Sequence, residues 1–115
     1  MGTTMSGLVE CWIEPNKEYN IPGHWESFAE IEFNKWHEVK HSIYEGNYKC
    51  PIENELSLDA KRIIREDIGH GYCVVDFEEL EKIWKNFNST AMATVEFMRV
   101  MSLDFKHVRL FIYFC

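Results

Sequence analysis

The strongest candidate for chemistry in this sequence is the string His37-Glu38-Val39-Lys40-His41, which has the spacing H-E-x-x-H. On a helix, residues i and i+4 project from the same face, so two imidazoles can bind Zn²⁺ while the glutamate between them polarises a water for peptide hydrolysis. A small zinc-dependent hydrolase is therefore one interpretation of the chain. The carboxylates considered as a third zinc ligand are Glu66, Glu78 and Glu79.

The helical phase of this segment argues against a zinc site. On a helix over residues 25–46, the apolar side chains form one stripe, and at about 100° per residue His37 and His41 fall outside it. Lys40 also places a positive charge between the two ligands. We therefore expect the two histidines to face solvent and predict no metal and no cofactor, with the His37 and His41 zinc site as the alternative.

A second group of residues has side chains suited to binding. In the string Gly-His-Gly-Tyr, the glycines allow the backbone to approach a ligand closely, while His70 and Tyr72 offer a hydrogen bond and a stacking ring. Arg65 precedes this loop and supplies a cation for phosphate. His24 and Trp25 form another candidate patch. These five residues are the predicted ligand-binding set, no catalytic residue is predicted, and the alternatives are a plain turn and a hydrophobic staple.

Length and composition limit the class of protein. The chain has 115 residues, of which 46% are hydrophobic and 15% aromatic, so a single domain over residues 1–115 can bury a core of its own. The net charge of -7 and the scattered 12 Lys and Arg argue against free nucleic acid as a partner. No window of about 18 apolar residues predicts a membrane span. Four cysteines without a C-x-x-C pair favour reduced thiols, and we expect a cytoplasmic location.

The periodicity of apolar residues and the turn signals predict seven elements that must position these side chains. The first four elements in chain order are a strand over 8–14, a helix over 25–46, a short helix over 58–65 capped by Ser57, and a strand over 71–75. Then come a helix opened by the capping box Asp76-x-x-Glu79, a helix capped by Ser89 or Thr90, and a strand over 107–115. The helix capped by Ser89 or Thr90 should bury Met92, Val95, either Phe97 or Met98, and Met101. The last run is too apolar for an edge strand, so we place it centrally.

These elements predict an α+β fold. Its order is β-α-α-β-α-α-β, with a mainly antiparallel sheet of about three strands covered by one layer of about four helices.

Five stretches of the sequence form a recognisable succession. They are Met1-Gly2 followed by Leu8-Val9-Glu10, Trp25-Glu26-Ser27-Phe28-Ala29-Glu30-Ile31, the helix over 56–65, Gly69-His70-Gly71-Tyr72 leading into Val75-Asp76-Phe77-Glu78-Glu79-Leu80, and the closing run over 104–114. Together and in this order they resemble an uncharacterised family of small phage and prophage proteins that typically open Met-Gly-Cys-Asp-Ile-His. Here Thr3-Thr4-Met5-Ser6 replaces those polar residues, the chain stops at Cys115 where the family continues with Asp-Asn, and a long insertion before the last helix is missing.

The resemblance implies a role in the host cytoplasm. Small acidic phage accessory proteins often antagonise bacterial defence, so the resemblance implies a sponge that encloses a nucleotide-derived immune signal between the subunits of a homo-oligomer. The alternative is an acidic inhibitor that docks on a host defence protein, with Trp and Tyr side chains as anchors. Because the polar residues that open and close the family are replaced or missing, we favour binding over catalysis.

Overall fold

The fold is built from four strands and three helices within the residues that the computed structural model describes, which are 5–33, 55–67, 71–85 and 87–114. In chain order the elements are β1 (Met5–Ile13), β2 (His24–Glu32), α1 (Leu58–Asp67), β3 (Tyr72–Asp76), α2 (Phe77–Ile83), α3 (Ser89–Met101) and β4 (Val108–Phe114). The predicted α+β class is confirmed. The predicted counts of about three strands and four helices differ from those in the described parts of the chain.

The four strands form one antiparallel sheet in the order β2-β1-β4-β3. All seven residues of β4 are buried, and β4 pairs with a strand on each side, which confirms its predicted central position. Because β4 is buried on both of its faces, the sheet must be covered on both sides.

Helices therefore pack on both faces of the sheet, and the predicted single helical layer is wrong. On one face, α2 and α3 cover a cluster that includes Val9, Leu110 and Ile112. On the other face, called the α1 face, α1 covers a smaller cluster that includes Leu8 and Phe111. Among the described elements, no helix is long and apolar enough to cross a membrane.

The largest difference from the sequence prediction is β2, which replaces the start of the predicted helix over 25–46. In β2 the side chains at 25, 27, 29 and 31 are more buried than those at 26, 28, 30 and 32, which is the period of two expected of a strand. Trp25 and Ala29 fit both the predicted helical spacing and this alternation, whereas Phe28 fits only the helical spacing. Pairing with β1 makes the segment a strand. The remainder of the predicted helix, including His37 and His41, lies outside the described residues.

The N-terminal cap agrees with prediction at α1 and differs at α2 and α3. Ser57 caps α1 as predicted, since its Oγ accepts a hydrogen bond from the backbone N–H of Ala60 at 3.2 Å. Helix α2 begins after Asp76, but the Asp76 side chain makes no capping hydrogen bond. Helix α3 is capped by Asn88, whose side chain accepts from Ala91, and not by Ser89 or Thr90.

The buried face of α3 agrees in part with the predicted one. The side chains that α3 buries are Ala91, Thr94, Val95 and Met98. Val95 and Met98 were predicted, the latter as the alternative to Phe97, whereas Met92, also predicted to be buried, is 44% exposed. The prediction considered only the larger apolar residues and so missed the small residues Ala91 and Thr94.

Candidate ligand-binding groove

A β-bulge in β2 arranges the side chains on the α1 face. Val9 pairs with Ala29, whereas the next residue, Glu10, pairs with Ser27, so Phe28 is the extra residue of β2. Ser27 and Glu30 are three positions apart and would point to opposite faces of a regular strand. The bulge brings both onto the α1 face.

Hydrogen bonds confirm this placement of Ser27 and Glu30. The Ser27 hydroxyl donates a short hydrogen bond to Asp59 Oδ2 on α1. Glu30 Oε1 accepts a hydrogen bond of 2.7 Å from the Tyr113 hydroxyl. The bulge therefore lets β2 make side-chain contacts with both α1 and the central strand β4, which lies beyond β1 in the sheet.

A buried ion pair lies in the centre of the α1 face. Glu10 and Arg109 are cross-strand partners in β1 and β4, with Arg109 Nε 2.8 Å from Glu10 Oε1. Glu10 is fully buried, and Arg109 is 7% exposed. A second guanidinium nitrogen donates to the Glu55 carbonyl at 2.7 Å, and the Ser57 backbone N–H donates to Glu10 Oε2 at 3.0 Å. The ion pair therefore fixes the start of α1 on the sheet.

Trp25 rests on this ion pair. The guanidinium carbon of Arg109 lies 3.7 Å from the ring centroid of Trp25, which is cation–π geometry. Trp12, the register partner of Trp25 on β1, packs edge to face against it, with ring centroids 5.4 Å apart. Two contacts therefore hold the Trp25 indole in one orientation, and a fixed aromatic ring loses little entropy when a ligand stacks on it.

An open cavity of about 420 Å³ borders Trp25 between β2 and the start of α1. We call it the indole chamber. It is lined by Trp12, Gly23, His24, Trp25, Glu55, Leu56, Leu58 and Lys61. Its volume is within the range of small-ligand pockets, and its mixture of aromatic and aliphatic walls with a few polar groups is typical of them.

A second cavity of about 290 Å³ adjoins the first, and we call it the carboxylate chamber. It is lined by His24, Trp25, Glu26, Ser27, Leu58 and Asp59. The two chambers share His24, Trp25 and Leu58, so they form one groove with an aromatic part and an acidic part.

His24 borders both chambers, and its side chain points to the face of the sheet opposite to Trp25, since it pairs with Ile13. Its Nε2 is 3.0 Å from Glu26 Oε1, and its Nδ1 is 3.0 Å from the Pro22 carbonyl oxygen. Both partners are hydrogen-bond acceptors, an arrangement that favours the protonated imidazolium. The hydrogen bond to Glu26, followed by that to Pro22, raises the pKa of His24 above its usual value of 6.5.

The structure brings together only two of the five predicted ligand-binding residues. His24 and Trp25 both line the groove. Tyr72 opens β3 and pairs with Tyr113, whose partner on β1 is Ser6, seven positions from Ile13, the partner of His24. At about 3.3 Å per residue, this places Tyr72 ~23 Å along the sheet from His24.

The other predicted residues do not join the groove. Arg65 lies in the last turn of α1 and does not line either chamber. His70 lies outside the described residues, as do His37 and His41. Within the described ranges, no group of three His, Cys, Asp or Glu side chains could hold a metal ion.

Sequence analysis missed the other residues that line the groove, among them Trp12, Leu58, Asp59 and Lys61. Sequence analysis placed Trp12 on the same face of the first strand as Glu10, which the structure confirms. Because the segment of β2 was predicted to be a helix, no strand was expected to pair with β1 beside Trp12. The α1 residues carried no signal of their own, because an exposed leucine and two charges at the start of a helix are ordinary. No family model, curated protein or solved structure matches the chain.

Proposed function

We propose that this chain is a binding protein that sequesters a nucleotide-derived small molecule in the groove between β2 and α1. The observation that carries the proposal is the Trp25 ring, which Arg109 supports at 3.7 Å and which also lines the indole chamber. A planar base stacks on such a ring with a gain of about 1–3 kcal/mol. Lys61 lines the same chamber and supplies positive charge for a phosphate.

The biological role that we propose rests on the resemblance to phage proteins. A phage protein that binds a nucleotide-derived signal and does not release it would lower the free concentration of that signal in the host. Bacterial defence systems that depend on such a signal would then stay inactive. The proposed role is therefore antagonism of host defence by sequestration.

The proposal is tested by thermal denaturation of the purified protein with nucleoside monophosphates, ADP-ribose and cyclic oligonucleotides. A ligand at 100 times its dissociation constant should add about 2.7 kcal/mol of stability, which raises the midpoint by several degrees. Lys61→Ala should weaken binding, whereas Lys106→Ala, which removes an exposed lysine outside the groove, should not. A midpoint unchanged by every nucleotide would exclude this function.

A steric variant tests whether the ligand occupies the indole chamber. A Cβ at Gly23 would overlap Cζ2 of Trp12, so the Trp12 ring, which lines the chamber, would have to move. Gly23→Ala should therefore weaken nucleotide binding, and calorimetric titration measures the loss. Ser89→Ala is the control, since Ser89 is exposed and does not line the groove. Equal effects of the two variants on affinity would place the ligand elsewhere.

A second candidate function, an inhibitor that docks on a host defence protein, is favoured by one observation. The outer surface of α3 and the turn after it carries Phe97, Val100 and Leu103, of which Val100 is 59% and Leu103 81% exposed. Exposed apolar side chains in one patch are typical of protein contact sites.

The two functions predict opposite results in an infection assay with a host whose defence the protein blocks. An inhibitor should lose activity on Val100→Glu and keep it on Lys61→Ala. A sponge that uses the groove should show the reverse pattern.

A further inference from the structure

We propose that a second copy of this chain covers the outer surface of α3, in a two-fold symmetric dimer whose α3 helices run antiparallel. The groove between β2 and α1 lies on the opposite face of the sheet from α3. The inference therefore goes beyond the proposed function and does not depend on it. It assigns to a second copy the exposed apolar surface that the inhibitor function would assign to a host protein.

Three apolar side chains lie along the outer surface of α3 and the turn that follows it. Met92 is 44%, Val100 59% and Leu103 81% exposed. At about 100° per residue, Met92 and Val100 lie within roughly 80° of each other around the helix axis. Ser102 keeps a right-handed helical backbone, so Leu103 extends the same line of side chains. These three residues, called the α3 stripe, form the kind of exposed apolar surface that contacts another protein.

A cavity of about 490 Å³ lies beside one end of the α3 stripe, between α2 and α3. Trp84, Met92 and Val95 form its apolar walls, and its other lining residues are charged. Leu103, at the far end of the stripe, does not line this cavity. The surface therefore carries a protruding apolar side chain at one end and an apolar cavity at the other. Two copies in an antiparallel arrangement can each insert the side chain of one into the cavity of the other.

One two-fold axis satisfies both the apolar and the charged residues of this surface. An axis at the midpoint between Met92 and Leu103 places Leu103 opposite Met92 of the partner subunit, beside the partner's cavity. The same midpoint places Glu96 opposite Arg99 of the partner subunit. A parallel arrangement would instead bring the two Glu96 carboxylates together, which is unfavourable. Charge complementarity therefore selects a second copy in the antiparallel orientation.

Arg99 is held in position to make this contact. Its Nη2 lies 2.7 Å from Glu81 Oε2 on α2, and its Nη1 contacts Glu96 one turn earlier on α3. These contacts do not use all the N–H donors of the guanidinium, and Glu96 is exposed. Because Glu81 already orients Arg99, a contact with the partner's Glu96 costs less side-chain entropy.

The test is sedimentation equilibrium of the full chain from micromolar to millimolar concentration. The mass should rise from that of one chain toward that of two, because a contact of two helices is smaller than the interface of ~800 Å² per partner of a stable complex. Leu103→Glu and Val100→Glu should each raise the dissociation constant at least about tenfold, since each places a charge in an apolar contact. Leu58→Glu is the matched control and should change the constant by less than about twofold, because Leu58 is as exposed as Leu103 but lies on α1.

Charge-reversal variants test the antiparallel register. Glu96→Arg alone sets two cations opposite each other across the axis, and Arg99→Glu alone sets two carboxylates opposite each other. Each variant should therefore dimerise at least about tenfold more weakly than the wild type. Mixed in equal amounts, the two variants should form a heterodimer, because their charges are then complementary. Circular dichroism confirms that each variant is folded.

The outcomes separate a second copy from the other occupants of this surface. A chain that keeps the mass of one molecule up to millimolar concentration would overturn the dimer, and loss of activity in Val100→Glu would then assign the α3 stripe to a host protein. A dimer unaffected by Val100→Glu and Leu103→Glu would also overturn the proposal, since another surface would form the contact. If the mixed charge variants associate no more tightly than either one alone, the antiparallel pairing of α3 is wrong. None of these results depends on nucleotide binding in the groove.

Discussion

Glu10 and Arg109 are 99 residues apart in sequence and form a buried ion pair in the middle of the sheet, with 2.8 Å between Glu10 Oε1 and Arg109 Nε. The pair contacts three other parts of the chain. It accepts from Ser57, donates to the Glu55 carbonyl and supports the Trp25 ring. One polar contact thus connects β1, β4, the start of α1 and the groove.

We expect Glu10→Gln to lower the free energy of unfolding by about 3 kcal/mol, because it leaves the Arg109 charge buried without a counter-charge. Urea denaturation measures the loss. Glu32→Gln, at an exposed site in β2, should change the stability by less than about 0.5 kcal/mol. The double variant Glu10→Met with Arg109→Met should recover only part of the loss, since Ser57 and Glu55 then lack their partners. A loss below 1 kcal/mol for Glu10→Gln would show that the pair contributes little.

The raised pKa of His24 predicts how stability depends on pH. A basic group whose folded pKa exceeds its unfolded value contributes stability that is fully present below the unfolded pKa of about 6.5 and is lost as pH rises through the folded pKa. Stability should therefore fall over this window in the wild type and less so in Glu26→Gln, which removes the main hydrogen bond. NMR titration of the His24 ring measures the pKa directly. A pKa at or below 6.5 would contradict the hydrogen-bond arrangement.

The two cysteines in the described residues should be unreactive in the native protein. Burial, with a smaller contribution from the charge of Glu10, raises the pKa of Cys11 to about 11, and Cys73 is 8% exposed. Because the thiolate is the reactive form, a thiol reagent at pH 8 should not modify either residue. The measurement uses the variant Cys50→Ser with Cys115→Ser, so that only these two thiols remain.

In that variant, two thiols should react after unfolding in urea and none before it. Rapid modification of the native protein would show that the sheet opens readily at β1 or β3.

The cap of α3 gives a prediction with a matched pair of variants. Asn88→Ala should destabilise the protein by about 1 kcal/mol, because the Asn88 side chain satisfies the Ala91 backbone N–H at 3.0 Å. Ser89→Ala, at the neighbouring position that sequence analysis favoured as the cap, should have an effect within about 0.5 kcal/mol. Thermal or urea unfolding measures both. The opposite ranking would assign the cap to Ser89.

Several local features could be predicted because short-range physics determines them. The Ser57 cap of α1 is a local contact, because the Ser57 hydroxyl accepts a hydrogen bond from the backbone N–H of Ala60, only three residues later. The alternation of Leu8, Glu10 and Trp12 on one face of β1 depends only on strand geometry. The central position of β4 followed from its apolar residues alone.

The groove could not be predicted, because its walls come from distant parts of the chain. Trp25 was a candidate as an aromatic residue, but its support by Arg109 depends on β1 lying between β2 and β4. Lys61 and Asp59 enter the site only because Glu10 holds the start of α1 against the sheet. Tyr72 and Arg65 were grouped with His24 by residue type, and strand register separates Tyr72 from it.

The sequence by itself determined the α+β class, the start of α1, the central strand and two residues of the groove. Only the tertiary structure decided that β2 is a strand, that helices cover both faces of the sheet, and that a bulge at Phe28 brings Ser27 and Glu30 onto one face. The physical reason is that local patterns express the preferences of a segment, whereas pairing is decided by the strand that lies beside it. For β2, whose pattern fits both a helix and a strand, that neighbour was β1.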